Sequence, residues 1–209
     1  MTLQPHWPPS TIPPQSPLYH AANASRYDRQ SLIATYEQKY RCRLVVLIDV
    51  IFQPSVTHFE ELIYDADPDS DLHLMLSSPG GDGETAVRLA RAAQARCREL
   101  TVIVPDQAKS AATLLAMGAH HILMSPVSDL GPVDPQFFVN GDLISAKDII
   151  AAVEDAAQKV QDAPNTYPIY ASLLADVTAL MVQQARSALD RTEDLLREAL
   201  RSNPDRSDE

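Results

Sequence analysis

Ser110 stands six residues past the apolar stretch 100–104, in Pro105-Asp106-Gln107-Ala108-Lys109-Ser110-Ala111-Ala112. A serine hydroxyl is a poor nucleophile until a base takes its proton and nearby donors stabilise the oxyanion that develops. At the start of a helix it gains free backbone N–H groups and the positive end of the helix dipole. The same position suits a plain helix N-cap, for which serine is favoured. Position alone leaves both roles open. A second corner lies upstream, where the apolar stretch 72–76 runs into Ser77-Ser78-Pro79-Gly80-Gly81. Glycine tolerates φ > 0, so successive N–H groups at Gly80 and Gly81 can point into one cavity. A strand-to-helix turn that merely needs glycine reads the same way. If 72–76 and 100–104 are neighbouring strands, the two corners lie side by side and form an oxyanion site beside a nucleophile.

The base is less plain. His120 and His121 come ten and eleven residues after Ser110, at the entry to a strand, where a structural role is expected. Lys109 points away from Ser110 if the corner is helical, because adjacent side chains do not share a face. Lysines are scarce: Lys39, Lys109, Lys147 and Lys159, against 13 arginines. There is no HExxH, no paired CxxC and no phosphate-binding glycine loop ending in Lys-Ser or Lys-Thr. Zinc and phosphate-loop readings therefore fail, and no cofactor is expected.

Three segments, Ser78-Pro79-Gly80-Gly81, Ala108-Lys109-Ser110-Ala111-Ala112-Thr113-Leu114 and Leu130-Gly131-Pro132-Val133-Asp134-Pro135-Gln136, resemble the Clp/crotonase superfamily in this order and spacing. Within it they resemble the serine dehydrogenase proteinase family of Clp-like serine peptidases, over roughly residues 40–165. The resemblance implies a nucleophilic Ser110 and an oxyanion hole from the Gly81 and Ala111 N–H groups, beside Gly80. Clp-type proteolytic subunits carry a histidine downstream of the serine, where this chain has none and Asp134 occupies about the expected place. Signal-peptide-peptidase relatives use a Ser–Lys dyad instead, and Lys147, 37 residues after Ser110, is the best match. A solvated lysine in the first turn of a helix would look the same. The base is thus Lys147, Asp134 or another group.

The elements that must position these residues alternate along the chain. Strands are expected at 44–48, 72–76, 100–104 and 122–124, with helices at 57–64, 83–97 and 110–118 between them. That pattern is an α/β core with a parallel sheet; the spiral of stacked units is implied by the resemblance. Asn140-Gly141 between apolar residues predicts a hairpin. A helix over 146–160 follows, broken by Pro164 and Pro168, and then a helical region over 169–200. Its stripe of Tyr170, Leu173, Leu174, Val177, Leu180 and Met181 is expected to pack. The organisation reads as a Pro-rich arm (1–24), an α/β domain (25–165), a C-terminal helical segment (166–202) and a disordered tail (203–209). Proline content argues against helix in the arm over 1–18. A polar helix over 25–40 is expected to carry its apolar face on Leu32, Ile33, Tyr36 and Tyr40.

At 209 residues and 45% apolar content the chain can bury a sizeable core. Its formal charge of −11 argues against nucleic acid or an anionic membrane as main partner. Cys42 and Cys97 are expected to be reduced and structural. With no long apolar run and no secretory layout at its start, a cytoplasmic protein without a membrane span is expected. The first expectation is a serine endopeptidase acting on peptides or proteins, as a homo-oligomer, with a partner ATPase left open. Its competitors are a catalytically weak scaffold of the same fold that binds peptides or partners, and a crotonase-like acyl-thioester enzyme.

Overall fold

The computed structural model describes residues 16–139 and 141–203, so most of the expected arm, Asn140 and the end of the tail lie outside the described residues. The chain divides into two units at Tyr40. In the first, helix α1 (Pro17–Ala22) precedes helix α2 (Ala24–Tyr40). The arm thus turns helical at Pro17, contrary to the expectation for 1–18. Proline costs nothing at the first helical position, and the Ser16 hydroxyl caps the helix by accepting the Tyr19 N–H at 3.2 Å. No residue of α2 is buried in this chain, and Leu32 and Tyr40 of its expected apolar face are exposed.

The second unit is a mixed α/β fold around a parallel sheet. Strands β1 (Cys42–Ile48), β2 (Asp71–Ser77), β3 (Leu100–Val104) and β5 (His121–Met124) form a four-stranded sheet in the order β1-β2-β3-β5. Every pairing is parallel. Helices α3 (Pro54–Ile63), α4 (Gly83–Gln94) and α5 (Ala111–Met117) make the crossovers that parallel strands require. Helix α3 begins at Pro54, three residues before the expected 57, again because proline suits a first turn.

Side-chain alternation explains the layers. Leu72, Leu74 and Leu76 of β2 are buried against Ala86, Leu89, Ala90 and Ala93 of α4 and the Ala111–Ala116 run of α5 in one core. Each such leucine contributes about 1.5–3 kcal/mol. Arg88, Arg91 and Arg98 stay exposed, as their spacing predicts.

Beyond the sheet, the strand exits pair a second time. Ile51 bridges to Gly81, Ser78 bridges to Ala108, and β4 (Gln107–Ala108) pairs with β6 (Asp129–Leu130), all parallel. This second row stacks one corner on the next and brings the three sequence motifs together.

The C-terminal part begins with the antiparallel hairpin β7 (Gln136–Val139) and β8 (Asp142–Ser145). Helix α6 (Ala146–Asp162) follows, then a 3-10 turn (Pro164–Thr166), α7 (Tyr167–Leu173) and α8 (Ala179–Arg201). Two expectations need correcting here. Pro168 lies in the first turn of α7 rather than breaking a helix, and the region 169–200 is two helices, not one. Leu173 and Leu180, expected to pack, are 71% and 68% exposed, on either side of the break between α7 and α8. Asn203, expected in a disordered tail, is 1% exposed and donates from Nδ2 to the Ala119 carbonyl at 2.7 Å. Among the described residues, no helix is long and apolar enough to cross a membrane.

Candidate active site

The two corners meet in space. Ser78 donates its N–H to the Gln107 carbonyl (2.9 Å) and accepts the Lys109 N–H (3.0 Å). A Cβ placed on Gly80 would lie 2.8 Å from the Ser110 Cβ and 2.7 Å from the Lys109 carbonyl oxygen. Only glycine allows the first corner to approach the serine this closely. Gly80 and Gly81 have φ of 108° and 138°, a region that L side chains rarely adopt.

Ser110 is itself strained. Its φ is 48° and ψ −117°, and its side chain makes no capping hydrogen bond. The N-cap reading therefore fails: a capping serine has extended backbone and accepts an N–H two or three residues on. Such strain in a non-glycine residue costs on the order of 1–3 kcal/mol and persists only where the surroundings impose it. Here they do. The Ser110 N–H donates to the Pro132 carbonyl (3.2 Å), and its own carbonyl accepts from Thr113 N (2.9 Å).

The amides around the serine are divided between bound and free. Gly80 N–H donates to the Ser78 hydroxyl (3.1 Å), and the Gly80 carbonyl accepts from Ile51 N (2.8 Å). The Gly80–Gly81 peptide is trans and planar, so a Gly80 carbonyl turned toward Ile51 turns the Gly81 N–H the opposite way. That way leads to the β3 side, where Ser110 lies. Among the described residues neither the Gly81 nor the Ala111 N–H has a hydrogen-bond partner. Gly81 is exposed and Gly80 buried, so Gly81 is the one of the pair open to a ligand.

The third motif closes the site from below. Thr113, 5% exposed, holds its hydroxyl 3.0 Å from the Ala108 carbonyl and 2.8 Å from that of Gly131. Gly131 N–H donates to the Ala108 carbonyl (2.8 Å), and the Lys109 side chain runs over Gly131 to pair with Asp129. That pairing takes Lys109 out of consideration as a base. Asp134, two residues past the Pro132 that holds Ser110, has a buried Oδ1 with no hydrogen-bond partner. The neighbouring Pro135 carbonyl accepts the Ala146 N–H (2.9 Å) at the start of α6, which brings Lys147 to this end of the molecule. The Lys147 side chain is exposed and makes no ion pair among the described residues.

The histidines are elsewhere. His120 Nδ1 accepts the Leu100 N–H (2.9 Å), at the far end of β3 from Ser110. A five-residue strand, about 16 Å, separates that end from the serine corner. His121 pairs with Glu99 at 3.3 Å. Both therefore lie at the strand entry, away from Ser110. Burial pushes the Cys97 thiol up to about 11, away from the thiolate form that reacts.

Sequence reading missed the parts played by Thr113, Ser78 and Ile51. A buried hydroxyl inside an alanine and leucine run was the available signal for Thr113; nothing marked Ile51, whose contribution is main-chain.

A family model described as ClpP-like SDH-type serine proteinase matches residues 55–206. Two uncharacterized proteins of Methanocaldococcus jannaschii are similar to this chain. One is 34% identical over 122 residues, covering 58% of this chain and 39% of the relative. The other is 27% identical over 133 residues, covering 64% and 39%. The chain thus spans well under half the length of these relatives. Among solved structures, the 1510-N membrane-bound stomatin-specific protease, as a serine-to-alanine mutant, gives a TM-score of 0.43 at 22% identity, covering 55% of this chain and 61% of that one. The catalytic domain of the ClpP protease from Plasmodium falciparum gives 0.41 at 12% identity, covering 48% and 59%.

Proposed function

Because the chain belongs to the family of ClpP-like SDH-type serine proteinases, we propose that it hydrolyses peptide bonds through an acyl-enzyme on Ser110. The observation that carries this reading is the backbone of Ser110, held at φ 48° with its hydroxyl uncommitted to a cap. A strained serine that serves no cap, facing two unpartnered amides, is arranged for chemistry rather than for stability. In this account Ser110 Oγ attacks the scissile carbonyl carbon while its proton passes to a base. The carbonyl oxygen becomes an oxyanion that accepts from the Gly81 and Ala111 N–H groups. The leaving amine takes the proton, and water then hydrolyses the ester. Each oxyanion donor is worth about 10²–10³ in rate, or roughly 3–4 kcal/mol.

Lys147 is the base in the first reading. A lysine accepts a proton only when neutral, and desolvation is what disfavours its charge. The side chain is exposed in the single chain, so a bound peptide or a second copy supplies the desolvation. The buried, unpartnered Oδ1 of Asp134 favours a second reading, in which that carboxylate takes or relays the proton. Substrates are peptides or proteins, and the working form is a cytoplasmic homo-oligomer.

Paired variants test the account. Ser110→Ala removes peptide hydrolysis and leaves the circular dichroism spectrum intact. Lys147→Ala costs nearly as much, and Lys147→Arg does not rescue it, because arginine stays protonated. Near-normal turnover in Lys147→Ala, with turnover lost in Asp134→Asn, moves the base to Asp134. Unchanged turnover in Ser110→Ala, with contaminating protease excluded, removes the nucleophile.

A further inference from the structure

We infer that Ser78 is a positioning residue that aims the oxyanion donor, an inference resting on the peptidase reading above. Ser78 is completely buried. Its hydroxyl accepts the Gly80 N–H at 3.1 Å and lies 3.5 Å from the Gly80 carbonyl oxygen. Its main chain is bonded on both sides to the residues that flank Ala108, Gln107 and Lys109. One residue therefore ties the glycine corner to the serine corner through its backbone and orients the glycine corner through its side chain.

The consequence follows from peptide planarity. Gly80 is anchored at both of its polar groups, N–H to Ser78 Oγ and C=O to Ile51 N. The Ile51 bond holds the plane that Gly80 C=O shares with the Gly81 N–H, and the Ser78 bond holds the preceding plane, so Gly80, whose φ of 108° no side chain restrains, is pinned on both sides. The Ser78 hydroxyl also occupies the Gly80 amide, leaving Gly81 as the single donor from this corner. Of the two anchors only Ser78 acts through a side chain, so it is the one a substitution reaches. Removing its hydroxyl frees the Gly80 amide and loosens the peptide whose N–H must meet the oxyanion. The effect falls on the rate of bond formation rather than on binding of the substrate.

The test uses a fluorophosphonate, which phosphonylates an activated serine: a Ser110 Oγ–P bond forms, the P–F bond breaks with fluoride leaving, and the serine proton goes to the base. Inactivation kinetics separate the maximal rate constant from the half-saturating concentration. Ser78→Ala lowers the maximal rate constant about 10- to 100-fold with the half-saturating concentration unchanged. Ser78→Cys, which keeps the side chain's size and a weak acceptor, falls between and covers the case of an unstable alanine variant. Amide hydrogen exchange gives the independent readout: Gly80 is protected in the wild type and exchanges fast in Ser78→Ala. Equal labelling rates in wild type and Ser78→Ala, with Gly80 protection lost, overturn this inference alone. A Gly80 amide still protected in Ser78→Ala also overturns it. A wild-type chain that takes no label overturns the nucleophile reading along with it.

Discussion

The backbone of Ser110 is strained at the residue proposed to act as nucleophile. A φ of 48° with ψ −117° is a conformation that glycine adopts without strain and serine does not. Ser110→Gly is therefore expected to stabilise the fold by about 1 kcal/mol, the relieved strain exceeding the entropy glycine loses. Urea denaturation checks it, and a variant less stable than wild type would show that Ser110 makes favourable contacts instead. Ser110→Ala keeps a Cβ and so keeps the strain. The sequence placed this serine at a strand-to-helix corner but could not tell a capping serine from a strained, uncapping one, because the difference lies in two dihedral angles. The glycines were legible for a sound reason: the spacing of the corners requires close approach, and a Cβ on Gly81 would fall 2.0 Å from the Ile51 carbonyl oxygen. Thr113 was marked only as a hydroxyl inside an apolar run, since its two carbonyl acceptors come from segments that only the fold brings together.

Among the elements, α8 has the largest structural task. Its first half packs Met181, Val182, Ala185 and Leu189 with Ala146 and Ile149 of α6, and its second half sends Leu195, Leu196 and Ala199 into the main core. At 23 residues it spans about 34 Å. It therefore fixes α6, which carries Lys147, relative to α5, which follows Ser110. Its far end is fastened by the Asn203 side chain on the Ala119 carbonyl. Asn203→Ala should cost about 1–3 kcal/mol, because a buried carbonyl loses its donor. Chemical denaturation measures this, and an unchanged midpoint would mean that the end of α8 is not held there. The parallel strands and α4 were readable because their apolar period is strong. The break between α7 and α8 was not, since the residues at 174–178 carry no glycine or proline and the apolar stripe continues across it.

Across the molecule, apolar surface is left exposed among the described residues. Phe138 and Leu143 face each other across the β7–β8 hairpin and are 74% and 64% exposed. Ile48, Val50 and Phe52 line a groove between α3 and the open edge of β1. A second copy could bury this apolar surface, and Lys147 needs cover if it is to act as a base. Light scattering at micromolar concentration should report a multiple of the 23.0 kDa chain mass. A monomer would leave the substrate alone to desolvate the lysine.

The most direct measurement of the central claim is peptide mapping after treatment with a fluorophosphonate. One adduct is expected, on Ser110 of the wild-type chain, and none on Ser110→Ala folded under the same conditions. An adduct on another serine, or an unlabelled Ser110 in a folded chain, would contradict it.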